Sequence, residues 1–507
     1  MKFRRSSGIL LHPTSLPGSL GSGDLGVPAF AFIDWLASAG QSLWQMLPLG
    51  PAGMANSPYM TLSAFAGSPL FIDLEEFVEQ GWLKKDDLTA VSLGAAHRVK
   101  YSTVNMKRMT LLAKASRQFF QQKPSKNYQL FETYCDAESS WLEDYSLFQA
   151  LNDKHDGKSW VSWEQNLVHR EPGALKKAAQ ELKERVDFHK FTQWCFARQW
   201  ARMKKYANDH DVKLIGDIPI FVAHHSADVW SNQEAFFLED DGMPSVVAGV
   251  PPDYFSEDGQ RWGNPLYRWD VMKQQKYHWW IDRFRKTFKL FDILRIDHYR
   301  GFEGYWEIPA HESTARIGRW VKGPGEDLFN AIEQQLGTLP IIAEDLGVIT
   351  PEVKALREKY NFPGMKVLQF AFSTDAEDSF LPHMYEKNYV VYSGTHDNDT
   401  TLGWFDKATK KEQDFVKHYC HSDGKAIHWD LITLGLQSVA DMSVFPLQDV
   451  LGLDSAGRMN FPGTVEGNWE WRFTWEMVEP WMTKRLYELT ALYGRCHPQT
   501  LNIVSGK

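Results

Sequence analysis

Cysteine is scarce in this chain, and the little there is lies scattered. Cys135, Cys195, Cys420 and Cys496 form no CxxC pair. That excludes a disulfide framework and a zinc site of recognisable spacing. Free thiols of this kind suit a reducing compartment. Long apolar runs are missing too, and none approaches the ~20 residues of a membrane-spanning helix. The opening MKFRRSSGILLHPTS has only three apolar residues between its basic start and His12, short of the ~7–15 of a secretory core. The cytoplasm is therefore the expected location. Positive charge is not in surplus either. A net charge of −9 argues against nucleic acid or an anionic membrane as partner, since both call for basic surfaces, and leaves neutral ligands open. No GxGxxG follows the first strand-like run, no Gly-rich phosphate loop occurs and no short internal repeat is found, so neither a dinucleotide fold nor a phosphate-binding barrel is expected. No cluster of oxygen ligands implies a metal, and no cofactor is expected.

The residues that are present arrange themselves in a strand–helix rhythm. The runs Gly8–Leu11, Ser42–Leu49, Val212–Val222, Phe291–Tyr299, Pro340–Leu346, Met365–Phe372, Tyr389–Gly394 and Ser438–Phe445 read as strands. Between them lie helix signals. Pro28 opens one helix with Phe32, Trp35 and Leu36 on a single face, and Gly40 ends it. Leu328, Phe329, Ile332 and Leu336 recur at helical spacing. Thr350 is placed to cap a third helix, with Pro351 at its first position. Repeated βα units mean parallel strands covered by helices, and eight of them fit a closed (β/α)8 (TIM) barrel, an α/β fold that absorbs large insertions within one domain. The stretch 74–209 has a different, charged and amphipathic texture. It reads as a mostly helical insertion, with loops at Gly157 and Pro172. The whole chain, 1–507, is read as a single domain with smaller loop subdomains.

Four acids close strand-like runs: Asp217, Asp297, Glu344 and Asp397. Several carboxylates at one rim of a barrel are equipment for breaking and remaking glycosidic bonds. Asp297 and Glu344 are one loop–helix–loop step apart, so they end neighbouring strands, ~4.7–4.9 Å apart. That spacing favours the ~5–5.5 Å carboxyl pair of retaining enzymes over the wider inverting pair. Arg295 lies two residues before Asp297, on the same strand face, where its charge would keep the Asp ionised. Glu344 and Asp345 are adjacent, and alternation points only one of them inward. Asp397 falls across the barrel mouth. The loop 245–270 is framed by Gly249, Pro251, Pro252, Gly259 and Gly263 and carries Tyr254, Phe255 and Trp262, a composition that suits a lid.

The motifs GILLHPTSLPG, GDIPIFVAHHSADVW, GVPPDYFSEDGQRWGNPLY, RIDHYRGF, IIAEDLGVIT, SGTHDND and FPLQDVLGLDSAGRMNFPG are similar to those of the 4-α-glucanotransferases (amylomaltases), within the α-amylase clan, and the likeness runs nearly end to end. It implies a retaining transfer of α-1,4-glucan segments between maltooligosaccharides. Asp297 would be the nucleophile, Glu344 the acid/base and Asp397 the transition-state stabiliser. Asp217, Arg295 and His396 would support them. Tyr254, Phe255, Trp262 and Asn264 would meet the glucan from the covering loop, and Tyr59 and Trp44 would contact sugar. Asn56, Met60 and Ser373 depart from the family pattern and bear on outer subsites. The rival readings are an α-glucan hydrolase using the same acids and an inactive glucan-binding protein; the intact trio argues against the second.

Overall fold

Each of the eight strand-like runs becomes a stave of one barrel. The computed structural model describes residues 3–91, 93, 97–252, 256–373 and 378–496. In chain order the strands are β1 (Ser6–Leu10), β2 (Leu43–Gln45), β3 (Lys213–Pro219), β4 (Val246–Val250), β5 (Gln260–Pro265), β6 (Ile293–Asp297), β7 (Gly304–Pro309), β8 (Arg319–Lys322), β9 (Ile341–Ala343), β10 (Gly364–Val367), β11 (Tyr389–Tyr392) and β12 (Met442–Pro446). The large sheet runs β10-β11-β12-β1-β2-β3-β6-β9, which is chain order read cyclically, and its pairs are parallel. The Ala343 N–H donates to the Pro363 carbonyl (2.9 Å) and closes β9 onto the approach to β10. The fold is a (β/α)8 barrel. Strands β1 and β12 are buried along their whole length, which is why they read as unbroken apolar runs rather than alternating ones.

The covering helices form where the apolar spacing places them. Val27–Ser38 buries Phe32, Trp35 and Leu36, and Gly325–Leu336 buries Leu328, Phe329 and Ile332. Pro351 opens the helix Pro351–Lys359 as expected, but the Thr350 hydroxyl makes no capping bond. Between β2 and β3 the long helices are Tyr101–Gln121, Lys126–Ala137, Ser139–Lys154 and Lys183–Asp209. Pro172 is not in a loop here: it takes the first turn of the helix Pro172–Glu181, where a missing N–H costs nothing. One continuous apolar cluster joins these helices to the barrel.

The second departure is the stretch 245–270. Instead of an irregular loop it holds β4 and β5, which join β7 and β8 in an antiparallel sheet ordered β5-β4-β7-β8. The strand partner β7 is far off in sequence, and Gly249 interrupts the alternation of VVAGV. That glycine is needed because a Cβ there would come within 2.1 Å of the Gln260 carbonyl oxygen.

Candidate active site

Strand register decides which side chains meet. Asp217 on β3 pairs with Arg295 on β6, and Pro219 pairs with Asp297. On the other side Ile296 pairs with Ala343 of β9, and the ladder continues one step further. The Glu344 N–H donates to the Ile296 carbonyl (3.0 Å), and the Tyr299 N–H to the Glu344 carbonyl (3.2 Å). Asp297 and Glu344 therefore end adjacent strands at the same level. Asp345, left open by alternation, goes elsewhere: it accepts from the Met365 N–H (2.7 Å) and lies 3.3 Å from the Arg357 guanidinium.

Arg295 is the electrostatic pivot. Its Nη1 reaches both oxygens of Asp217 (2.9 and 2.7 Å), and its Nη2 lies 3.0 Å from Asp297. The Asp217 side chain is fully sealed, whereas that of Asp297 keeps 31% exposure. Only Asp297 of the two is open to a ligand. Burial works against the charge of Arg295, yet Asp217 and Asp297 hold its pKa above the usual value. Burial raises Asp297 to about 6, opposed by Arg295. It raises Glu344 further, to about 7, with Arg295 opposing and the Asp297 charge adding to the rise. Two carboxylates on one rim thus differ in proton affinity through their surroundings.

Main chain fixes the Glu344 carboxylate. The His298 N–H donates to one oxygen (2.7 Å) and the Leu346 N–H to the other (2.8 Å). His298 can aim its amide this way because its backbone is left-handed, φ 51°. Its ring meets Trp262 edge-on (4.8 Å, 88°). Across the mouth, Tyr59 donates to Asp217 (2.7 Å) and stacks on His396 (5.1 Å, 19°). His396 lies 3.4 Å from Asp397. Asp397 is also held by the Asn460 amide (2.6 Å), and Arg458 bonds its carbonyl (2.7 Å). The charges of His396 and Asp397 both act on Asp297, so the two sides form one electrostatic unit.

A family model described as 4-alpha-glucanotransferase matches residues 11–478. The chain belongs to the 4-alpha-glucanotransferase family. It is 49% identical over 500 residues to the 4-alpha-glucanotransferase of Synechocystis sp., covering 98% of this chain and 99% of that one. It is 50% identical over 480 residues to the 4-alpha-glucanotransferase of Thermus thermophilus, at 93% and 95% coverage. Among solved structures, the amylomaltase from Streptococcus agalactiae in complex with acarbose superposes with a TM-score of 0.95 at 38% identity, covering 97% of this chain and 100% of that chain.

Within this 4-alpha-glucanotransferase family member the expected residues do not all gather. Asp297, Glu344, Asp397, Asp217, Arg295, His396 and Tyr59 converge, and Trp262 reaches them through His298. Asp217 is too deeply sealed to meet a ligand; it orients Arg295 and Tyr59. Trp44 is a correction. Its indole is fully buried, donates to the Leu11 carbonyl (2.9 Å) and packs on Phe32, because alternation turns Trp44 to the helix side. The next residue, Gln45, faces inward and accepts from the Tyr392 hydroxyl (2.8 Å). Asn264 is buried and bonds the Val222 carbonyl (2.9 Å), with the Met60 sulfur at 3.6 Å, so it ties the outer sheet to the rim. Tyr254 and Phe255 lie outside the described residues. Sequence reasoning missed His298, Arg458 and Asn460. The first sits inside RIDHYRGF and the others inside SAGRMNFPG, so their motifs were visible while their roles were not.

Proposed function

We propose that this protein transfers α-1,4-glucan segments from a maltooligosaccharide or starch-like donor to the 4-hydroxyl of an acceptor sugar, with retention at the anomeric carbon. The observation that carries this reading is the level pairing of Asp297 and Glu344 on adjacent strands. Neighbouring strands are ~4.7–4.9 Å apart, which suits the ~5–5.5 Å carboxyl pair of double displacement.

In the first step an Asp297 oxygen attacks the anomeric carbon and the glycosidic C–O bond breaks. Glu344 gives its proton to the departing 4-oxygen. In the second step the Glu344 carboxylate takes the proton of the acceptor 4-hydroxyl. That oxygen attacks the same carbon and releases Asp297. The higher proton affinity of Glu344 suits the acid, and the Arg295 contact suits an anionic nucleophile. Asp397, held by Asn460 and His396, stabilises the positive charge that develops on the sugar. Trp262, on the stretch 245–270, covers the glucan and keeps water from the intermediate. We place the work in the cytoplasm, on maltodextrin and glycogen, a setting that suits four unpaired cysteines.

Maltotriose tests the reading. Transfer gives glucose together with a ladder of longer chains. Glucose and maltose without elongation would mean a hydrolase. Asp297→Ala should lose at least about 10³-fold in rate while still binding maltooligosaccharide; full activity in that variant would remove the assignment.

A further inference from the structure

We propose a second glucan-binding site, outside the barrel wall, in a recess framed by Phe65, Trp141, Trp279, Asp144, Asn232 and Gln275. The choice of ligand rests on the transfer reading above and deepens it. The recess has a volume of about 460 Å³, within the roughly 300–1,000 Å³ of small-ligand sites. It lies between the helix Ser139–Lys154, the short helix Ala227–Ser231 that follows β3, and the start of the helix His278–Leu290 that precedes β6. Covering helices run antiparallel to the strands, so the start of that last helix is at the same rim as Asp297.

Three partly exposed rings make the walls. Phe65 lies parallel to Trp141 (6.3 Å, 17°), and Trp279 meets Phe65 edge-on (5.9 Å, 81°). Trp141 is locked in place. Its indole N–H donates to Glu138 (2.6 Å), and the Lys286 ammonium sits 4.8 Å from its ring. A fixed flat ring covers the apolar face of a pyranose at little entropic cost. Hydrogen-bonding groups surround the rings. Asp144 commits one oxygen to Arg170 (2.6 Å) and keeps 38% side-chain exposure. Asn232 uses its NH₂ on the Asp228 carbonyl and the Ser231 hydroxyl (2.9 and 2.8 Å), which leaves its side-chain carbonyl to accept from a ligand. Gln275 is exposed.

The charges of the recess are already answered. Arg170 pairs with Asp144, and both His278 and Arg285 pair with Asp282. Nothing there calls for an anion, and aromatic faces with neutral or compensated polar groups select a polyol. One chain segment links the recess to the catalytic rim. The Ala227 N–H donates to the Leu62 carbonyl (2.9 Å), and the Ala64 N–H to Asp228 (2.7 Å). The one pinned segment carries Tyr59 into the rim and Phe65 into the recess. A polymeric donor held here presents its chain to the acids at raised effective concentration.

The test is electrophoresis of the full-length protein through gels containing glycogen, alongside maltotriose disproportionation. Phe65→Ala and Asp144→Ala should each weaken retardation by about threefold or more, with the maltotriose rate kept within about twofold. Unchanged retardation overturns the site, and so does a parallel loss of maltotriose rate. If Phe65→Ala does not fold, Asp144→Ala decides. Retardation that depends on these residues in a protein unable to elongate maltotriose would reject the transfer reading and leave the site standing.

Discussion

The two carboxyl groups at residues 297 and 344 hold their protons differently, and both activity and stability should record it. The rate kcat/KM should fall on the acid side as Asp297 takes a proton and on the alkaline side as Glu344 loses one, giving a narrow optimum near the two values of about 6 and about 7. For stability the sign is the reverse of a salt-bridged acid. The folded state binds more protons than the unfolded between the ordinary Glu value of 4.5 and about 7, so this group's ionisation costs stability as pH rises through that window. Glu344→Gln should abolish transfer, and its Tm should fall less than that of the unaltered protein as pH rises from 5 to 7.5, although its amide NH₂ must face one of the two backbone N–H groups that the carboxylate accepts. Thermal scans against pH check this, and a Tm difference between the two proteins that stays constant with pH would refute it. The choice between Glu344 and Asp345 was not legible in the sequence, because alternation alone cannot set strand parity. Trp44 was misplaced for the same reason: a Trp in a short buried strand reads alike whichever face it takes.

At the scale of elements, the outer sheet makes the clearest prediction. Gly249→Val sets a branched side chain against the Gln260 carbonyl, where even a Cβ would lie at 2.1 Å. The β4–β5 pair, already irregular between Val247 and Gly249, should separate while the barrel keeps its far-UV spectrum. Elongation of maltotriose should drop by roughly tenfold to a hundredfold, and glucose release by water should rise relative to it. The assay is product analysis by chromatography. This sheet is also where sequence reading fell short. Lone helices and barrel strands announce themselves through local spacing, whereas β4 owes its existence to Trp306 and its neighbours on β7, across the register Gly249 to Trp306. Asn460 and Arg458 were hidden likewise, since their meeting with Asp397 depends on how two loops fold together.

For the molecule as a whole, the barrel's seam between β12 and β1 is locked by two arginines. Arg495 is buried and bonds the carbonyls of Leu436 (2.7 Å), Ala440 (2.9 Å) and Ser6 (3.0 Å). Arg5 bonds those of Ser438 (2.7 Å) and Tyr493 (2.8 Å). Arg495→Ala would strand several buried carbonyls, and a loss of about 3 kcal/mol or more is expected, read as a lower urea midpoint; an unchanged midpoint would show the clamp to be idle. The eight staves were legible from the apolar runs, because burial on both faces keeps most polar residues out of them, site residues such as Asp217 and Arg295 excepted. The clamp was not, because its acceptors are main-chain atoms that any sequence supplies.

The four-stranded sheet takes β4 and β5 from the connection before β6, and β7 and β8 from the one after it. A plate moored on both flanks of a single stave cannot swing like a door on one jamb. It is tied to the barrel at both edges, and the stave between the moorings is the one that ends in Asp297.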